Sequence, residues 1–230
     1  FMAKFTHSKL VVECCEHPLR HFQKNSMKKR EGMLKFRVES FLSDGILCIS
    51  RFLMDFNKKY GVKESKLFLV PSTVDIERFS NAGVSPLTYS YISYCGSLTI
   101  KKDGVDILID SFNRLASEKP DIDLVLIGKG DSEYEEAAIR RKTEQLNLGN
   151  RVHFLGQMSR TDVPAYLAGA KVLALARPTS IVADAGFPSK LTEYLSTGKP
   201  VIVTRVGDIP IYLKDNENAF LSEPDNAEAF

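Results

Sequence analysis

Residues 176–204 read ARPTSIVADAGFPSKLTEYLSTGKPVIVT, and they carry the side chains with the clearest chemical use in the chain. An apolar run gives way to a loop, then to Gly186-Phe187-Pro188, then to a helical stretch opening with Ser189-Lys190-Leu191-Thr192-Glu193. A helix N-terminus presents unpaired N–H groups and a partial positive charge, so it attracts phosphate. Lys190 adds a full cation there. Glu193, one turn in, has the reach to accept hydrogen bonds from vicinal hydroxyls of a ligand, and it equally suits a carboxylate stabilised by the helix dipole. Gly128-Lys-Gly130 follows another apolar run. It lacks the third glycine of a dinucleotide fingerprint, and a tight strand-to-helix turn accounts for it as well. No G-x-S-x-G elbow, H-E-x-x-H pair or P-loop occurs.

These groups need a scaffold that brings distant loops together. Short β-branched runs alternate with amphipathic stretches along the chain, the pattern of βαβ units around a parallel sheet. Strands are predicted at 9–13, 45–50, 67–70, 89–95, 123–127, 152–155, 171–176, 201–204 and 219–221. Helices are predicted before residue 43, where Leu34, Val38, Phe41 and Leu42 share a face, and at 51–60, 104–118, 132–146, 162–168 and 188–197. Pro188 at the start and Gly198 just past the end frame the last of these. Residues 81–88 carry two breakers and little periodicity, so they are read as a linker between a first part over 1–80 and a second over 89–230. The second part is read as an open, doubly wound sheet of about six strands. Such sheets bind ligands beyond the strands' carboxyl ends, here at loops 96–103, 128–131, 156–160, 177–187 and 205–208. The chain opens without a clear domain start and closes as a helix begins at Asp225, so a fragment truncated at both ends is expected.

Composition bounds the function. A chain of 230 residues holds one large domain or two small ones. With 43% hydrophobic and 26% charged residues, wholesale disorder and coiled coil are excluded. Lys and Arg number 31 against 29 Asp and Glu, a net charge of +2, which argues against a nucleic-acid binder. No apolar run reaches the ~18 residues of a membrane span, and residues 1–10 lack a signal peptide's apolar core. Cys14, Cys15, Cys48 and Cys95 form no C-x-x-C pair, so reduced thiols, without a disulfide framework or a zinc site, are expected. Charge is uneven, however. Arg20, Lys24, Lys28, Lys29, Arg30, Lys35 and Arg37 face only Glu31 over residues 20–37. This is either a solvated helix face or a surface for anionic lipid or a phosphorylated substrate, to which each cation contributes ~1 kcal/mol.

Several ordered segments together resemble the retaining glycosyltransferases of family 4, which have a two-Rossmann-domain architecture called GT-B. Gly186-Phe187-Pro188, Glu193-Tyr194-Leu195 and Thr197-Gly198-Lys199-Pro200-Val201 match the family's signature of two glutamates followed by a turn and strand. Val70-Pro-Ser-Thr-Val-Asp75 through Phe79 resembles its segment joining the domains. Tyr94-Cys-Gly-Ser-Leu98 with Lys101-Lys-Asp-Gly104 resembles its phosphate loop. Leu126-Ile-Gly-Lys-Gly130 and Val152-His-Phe-Leu-Gly156 resemble the next two strand ends.

The resemblance implies an α/β fold and transfer of a sugar from a nucleotide diphosphate donor to a saccharide or lipid-linked acceptor. Retention of anomeric configuration and independence of a metal or cofactor follow with it. The setting it implies is bacterial polysaccharide or glycolipid assembly in the cytoplasm, with residues 20–37 as a peripheral contact to the inner face of an anionic membrane. Glu193 matches the glutamate that grips the ribose, and Lys102 or Lys101 the lysine that neutralises the diphosphate. Gly96 lies under that diphosphate. Gly130, Val152 and His153 match the pocket for the base, while Gly186 and Phe187 point N–H groups toward the sugar and Leu191 belongs to the same donor-binding stretch. His17 resembles the histidine that faces the reacting sugar, although a His before Pro is also a common turn residue. Two positions depart from the pattern. Ala185 stands where the first glutamate is expected, with Asp184 beside it, and Ser97 stands where an arginine is expected. Neutralisation then falls on Lys101, Lys102, Lys190 and Arg177, the last of which is otherwise an ordinary loop arginine. Two alternatives stay open: a nucleotide-sugar-binding module without catalysis, and a sugar phosphorylase or epimerase on the same architecture.

Overall fold

The computed structural model describes Thr6 and residues 8–18 and 26–230, with the side chains of Ser26 and Lys29 left aside. Its contacts divide the chain into two units. One takes the residues up to Ser72 together with Ser180–Phe187; the other takes Thr73–Thr179 and Pro188–Phe230. Residues 81–88 therefore lie inside the second unit, and the loop before Pro188 belongs to the first.

In the first unit, β1 (Val11–Cys14), β2 (Gly45–Cys48) and β3 (Leu67–Leu69) form a parallel sheet in that order. Parallel neighbours need crossovers. These are α1 (Ser26–Leu42) and α2 (Arg51–Lys59). Ser50 caps α2, its Oγ accepting from the Leu53 N–H and donating to the Ala185 carbonyl at 2.6 Å. Ala185 thereby joins Ile46, Cys48, Leu53 and Leu67 in one buried cluster. Phe36 anchors α1 against Phe56 and Tyr60. The other face of α1 is open, with Leu34 and Phe41 65% and 83% exposed. Lys28, Arg30, Lys35 and Arg37 are exposed on the same helix. Arg20 and Lys24 lie outside the described residues.

The second unit is one parallel sheet of β4 (Ser90–Cys95), β5 (Ile122–Ile127), β6 (Val152–Gly156), β7 (Val172–Leu175), β8 (Val201–Thr204) and β9 (Phe220–Ser222). The spatial order is β6-β5-β4-β7-β8-β9. Counted from β4, this is the 3-2-1-4-5-6 winding of dinucleotide-binding sheets, and its switch point lies between β4 and β7. The crossovers include α3 (Val105–Glu118), α4 (Glu133–Gln145), α5 (Val163–Gly169) and α6 (Ser189–Ser196). Leu124 through Ile127 are buried without a break, as strands covered on both faces require. Pro188 immediately precedes α6, and Gly198 follows its C-cap in the left-handed region at φ +67°. Short helices at Glu77–Ser80, Ile100–Asp103, Ile181–Ala185 and Ile209–Tyr212 escape the sequence reading, because four or five residues show no helical period. Among the described residues, no helix is long and apolar enough to cross a membrane.

Candidate functional site

The switch point of the second unit gathers the ends of β4 and β7 with the start of α6. β4 runs out at Cys95, and the chain turns at Gly96-Ser97. Gly96 has φ +156°, and a Cβ there would lie 2.5 Å from Lys190 Nζ and 2.9 Å from the Tyr94 hydroxyl. Only glycine lets the α6 lysine pass this close beneath the loop. Beside it opens a cleft of 480 Å³, lined by Gly96, Ser97, Gly128, Gly130, Gln157 and Met158.

Lys190 is not a bare cation. Its Nζ lies 2.7 Å from Asp103 Oδ2 and donates to the Tyr94 hydroxyl at 3.0 Å. That hydroxyl in turn donates to the Ser97 carbonyl at 2.6 Å, so the lysine is wired to the loop. The Asp103 side chain is 2% exposed and that of Lys190 15%. Burial pushes the Lys190 ammonium below the ordinary lysine range, the Asp103 charge opposes this, and the charges of Arg177 and Lys102 add to the lowering. Arg177 and Lys102 are thus within electrostatic reach of Lys190. Arg177, at the end of β7, is buried, and its Nε donates to the Lys102 carbonyl at 3.4 Å. Lys101 and Lys102 stand exposed on the short helix that also carries Asp103. Tyr194, fully buried, fixes α6 to the end of β4, its hydroxyl accepting from the Cys95 N–H at 2.7 Å. Burial, and after it the Glu193 charge, pushes the Cys95 thiol up to about 12. Glu193 therefore lies near the same strand end, where its Oε1 meets Arg78 Nη1 at 3.1 Å.

Gly96, Ser97, Lys101, Lys102, Arg177, Lys190 and Glu193 are accordingly brought to one region. Gly130 lines the cleft, with its N–H donating to Glu136 Oε2 at 3.1 Å. Three other expectations need correction. Val152 and His153 begin β6 rather than end it, since Val152 pairs with Leu124 near the amino end of β5. The pocket end of β6 is Gly156, followed by Gln157 and Met158. His153 instead bonds Asp123 Oδ2 at 2.7 Å and packs on Tyr89, while Asp123 also holds Arg151 Nε at 2.7 Å. Leu191 is fully buried, and its N–H already donates to the Pro188 carbonyl at 3.0 Å, so it belongs to the core.

His17, Asp184, Gly186 and Phe187 belong to the first unit. His17 is 8% exposed, three residues past β1, with its ring against Phe56 and Phe52. Burial lowers its pKa. Asp184 lies in the helix Ile181–Ala185, and the Phe187 carbonyl accepts from Ser72 Oγ at 3.3 Å. Ala185, standing where the resemblance expects glutamate, is a core residue. Sequence reasoning missed Asp103, Tyr94, Tyr194 and Arg78, whose partners lie far along the chain. Among the described residues, no group of three or more His, Cys, Asp or Glu side chains converges as a metal site.

Residues 75–230 match the family model described as glycosyl transferases group 1. An uncharacterised glycosyltransferase of Methanocaldococcus jannaschii is 27% identical over 209 residues, covering 88% of this chain and 51% of that protein. The GDP-mannose-dependent monoacylated alpha-(1-6)-phosphatidylinositol monomannoside mannosyltransferase of Corynebacterium glutamicum is 28% identical over 196 residues, covering 79% of this chain and 49% of that protein. The chain thus spans about half the length of these relatives. The crystal structure of Anabaena HepE in complex with UDP and glucose superposes with a TM-score of 0.79 at 18% identity, over 99% of this chain and 61% of that one. At that identity the likeness establishes the fold, the α/β architecture of GT-B type expected from the sequence.

Proposed function

The chain belongs to the glycosyl transferases group 1, and from that premise we propose a retaining family 4 enzyme that moves a sugar from a nucleotide diphosphate to an acceptor hydroxyl. One observation carries the proposal. At the switch point Lys190 lies beneath the glycine loop after β4, where a diphosphate would lie, and Arg177, bonded to the Lys102 carbonyl, and Lys102 act on it electrostatically. The chemistry breaks the bond from the anomeric carbon to the β-phosphate oxygen and forms one to the acceptor oxygen, on the same face of the sugar. Its main demand is stabilisation of the departing diphosphate, which fixed cations and aimed N–H groups supply.

In this reading the cations divide the work. Asp103 answers much of the Lys190 charge, so Lys190 holds the loop in shape and lends a partial field. Lys102, Arg177 and the neighbouring Lys101 carry the rest, in place of both the missing arginine at Ser97 and a divalent ion. Glu193 takes the ribose hydroxyls, and the 480 Å³ cleft beside Gly130 takes the base. For His17, Asp184, Gly186 and Phe187, which belong to the first unit, the family resemblance implies roles toward the sugar. UDP bound in Anabaena HepE supports a nucleotide-sugar donor. The phosphatidylinositol monomannoside named for the Corynebacterium relative supports a lipid-linked acceptor, with a saccharide as the other class. The exposed Lys28, Arg30, Lys35 and Arg37 beside Leu34 and Phe41 support peripheral attachment to an anionic cytoplasmic leaflet in bacterial glycolipid or polysaccharide assembly.

The test is release of nucleoside diphosphate from UDP-, GDP-, ADP- and dTDP-sugars with glycolipid and saccharide acceptors, and the product's anomeric configuration by NMR. Acceptor-dependent release with retention is expected. Release that instead requires inorganic phosphate, or an inverted product, would overturn the reading.

A further inference from the structure

We infer that Arg78 is a positioning residue for nucleotide binding, holding the Glu193 carboxylate so that one oxygen faces a ribose hydroxyl. The inference rests on the proposed role of Glu193 and adds a residue that neither composition nor motif assigns. Arg78 lies in the short helix Glu77–Ser80, which packs against both α5 and α6. Its guanidinium is a rigid planar fork with both prongs engaged. Nη1 donates to Glu193 Oε1 at 3.1 Å, and Nη2 donates to the Arg160 carbonyl at 3.0 Å. The plane also stands 5.2 Å over the ring of Phe79, which is buried. Arg78 is thereby fixed from below and ties α6 to the loop after β6, whose Gln157 and Met158 line the cleft.

The consequence for Glu193 is geometric. A glutamate with a free terminus samples several rotamers and loses that freedom on binding. Here Oε1 is taken, and among the described residues Oε2 has no hydrogen-bond partner. The carboxylate is thus presented in one orientation, already ordered. A pair this close to solvent adds little to folding, so its effect is expected in binding rather than in stability.

The test is calorimetry on the chain with UDP, GDP and ADP, followed by the tightest binder's 2′-deoxy and 3′-deoxy analogues. Wild type is expected to prefer the ribonucleotide over at least one deoxy analogue by about tenfold, the scale of a hydrogen bond to a charged group. Arg78→Ala is expected to weaken the ribonucleotide about tenfold while shifting that deoxy analogue less than about twofold, so the preference collapses. Arg78→Lys should restore only part of it, because an ammonium cannot span both acceptors as the fork does. If Arg78→Ala fails to fold, the drop in preference in Arg78→Lys decides the question. Equal loss for the ribonucleotide and the deoxy analogue, or an unchanged preference, overturns the inference while leaving Glu193 in its role. A wild-type chain that binds none of the three nucleotides overturns the functional reading, and this inference with it.

Discussion

Replacing Asp103 by Asn removes the charge beneath Lys190 while keeping shape and the hydrogen bond offered by Thr99. The ammonium then sits in a site where its side chain is 15% exposed, with Arg177 and Lys102 as its charged neighbours. Breaking a buried pair from one side costs about 3–5 kcal/mol. The residual exposure and the Tyr94 hydroxyl, still in place as an acceptor, set the lower end, about 3 kcal/mol. In a chain of this size each kcal/mol moves the melting midpoint by about 2–4 °C, so a fall of about 6–12 °C is expected. Removing both charges, with Asp103→Asn and Lys190→Met together, should cost less than Asp103→Asn alone, because no unpaired ion remains. Urea unfolding of wild type, both single variants and the double variant gives the coupling directly. There is also a pH signature. Burial lowers Lys190 in the folded state, so as pH rises toward the ordinary value of 10.5 the folded chain loses this proton before the unfolded one. The unfolded state then binds more protons, and the contribution of Lys190 to stability rises with pH across that window. Lys190→Met should remove the rise. A loss under about 0.5 kcal/mol for Asp103→Asn, or costs that simply add in the double variant, would refute the buried pair.

Gly104 has φ +64°, and a Cβ there would lie 1.9 Å from the Ala176 carbonyl, whereas nothing stands within 4 Å of the same position at Gly61, φ +88°. Gly104→Ala should therefore destabilise well beyond the ~1–2 kcal/mol of left-handed strain expected for Gly61→Ala, and equal thermal shifts for the two would contradict the packing. Glu193→Ala is expected to weaken nucleoside diphosphate binding by about 1.5–3 kcal/mol while changing the unfolding midpoint little, which calorimetry and thermal melts separate. Burial lowers His17 below its ordinary 6.5, so the folded state resists the proton that the unfolded chain accepts. Wild type should lose stability relative to His17→Gln as pH falls through 6.5, and a difference independent of pH between 7.5 and 5 would place His17 in water.

The sequence-level pattern captured the sheet because each strand is a short apolar run punctuated by turns. Gly45–Cys48, Ile122–Ile127 and Val201–Thr204 lie within two residues of their predicted bounds. Pro188 and Gly198 framed α6 for a backbone reason that needs no tertiary context. What stayed hidden depends on contacts between remote residues. The sequence shows Lys190 as a cation at a helix start, and only the fold brings Asp103 under it. Arg78 looks like a surface residue until its short helix is packed beside α6. The placement of Val152 and His153 failed differently. The predicted strand over 152–155 already puts Val152 and His153 at its amino end, away from the loop at 156–160, and only the family resemblance set them at the pocket; the pairing of Val152 with Leu124 agrees with the amino end. The same holds for Leu191, one residue from Lys190 yet turned into the core.

A ladder of nucleoside, nucleoside monophosphate and nucleoside diphosphate, titrated calorimetrically into wild type and Lys102→Ala, tests whether the cations at the switch point hold a diphosphate. Wild type should gain affinity at each phosphate, and Lys102→Ala should lose about tenfold or more for the diphosphate while binding the bare nucleoside as before. Equal affinity along the ladder, or an equal loss for nucleoside and nucleoside diphosphate in Lys102→Ala, would contradict it.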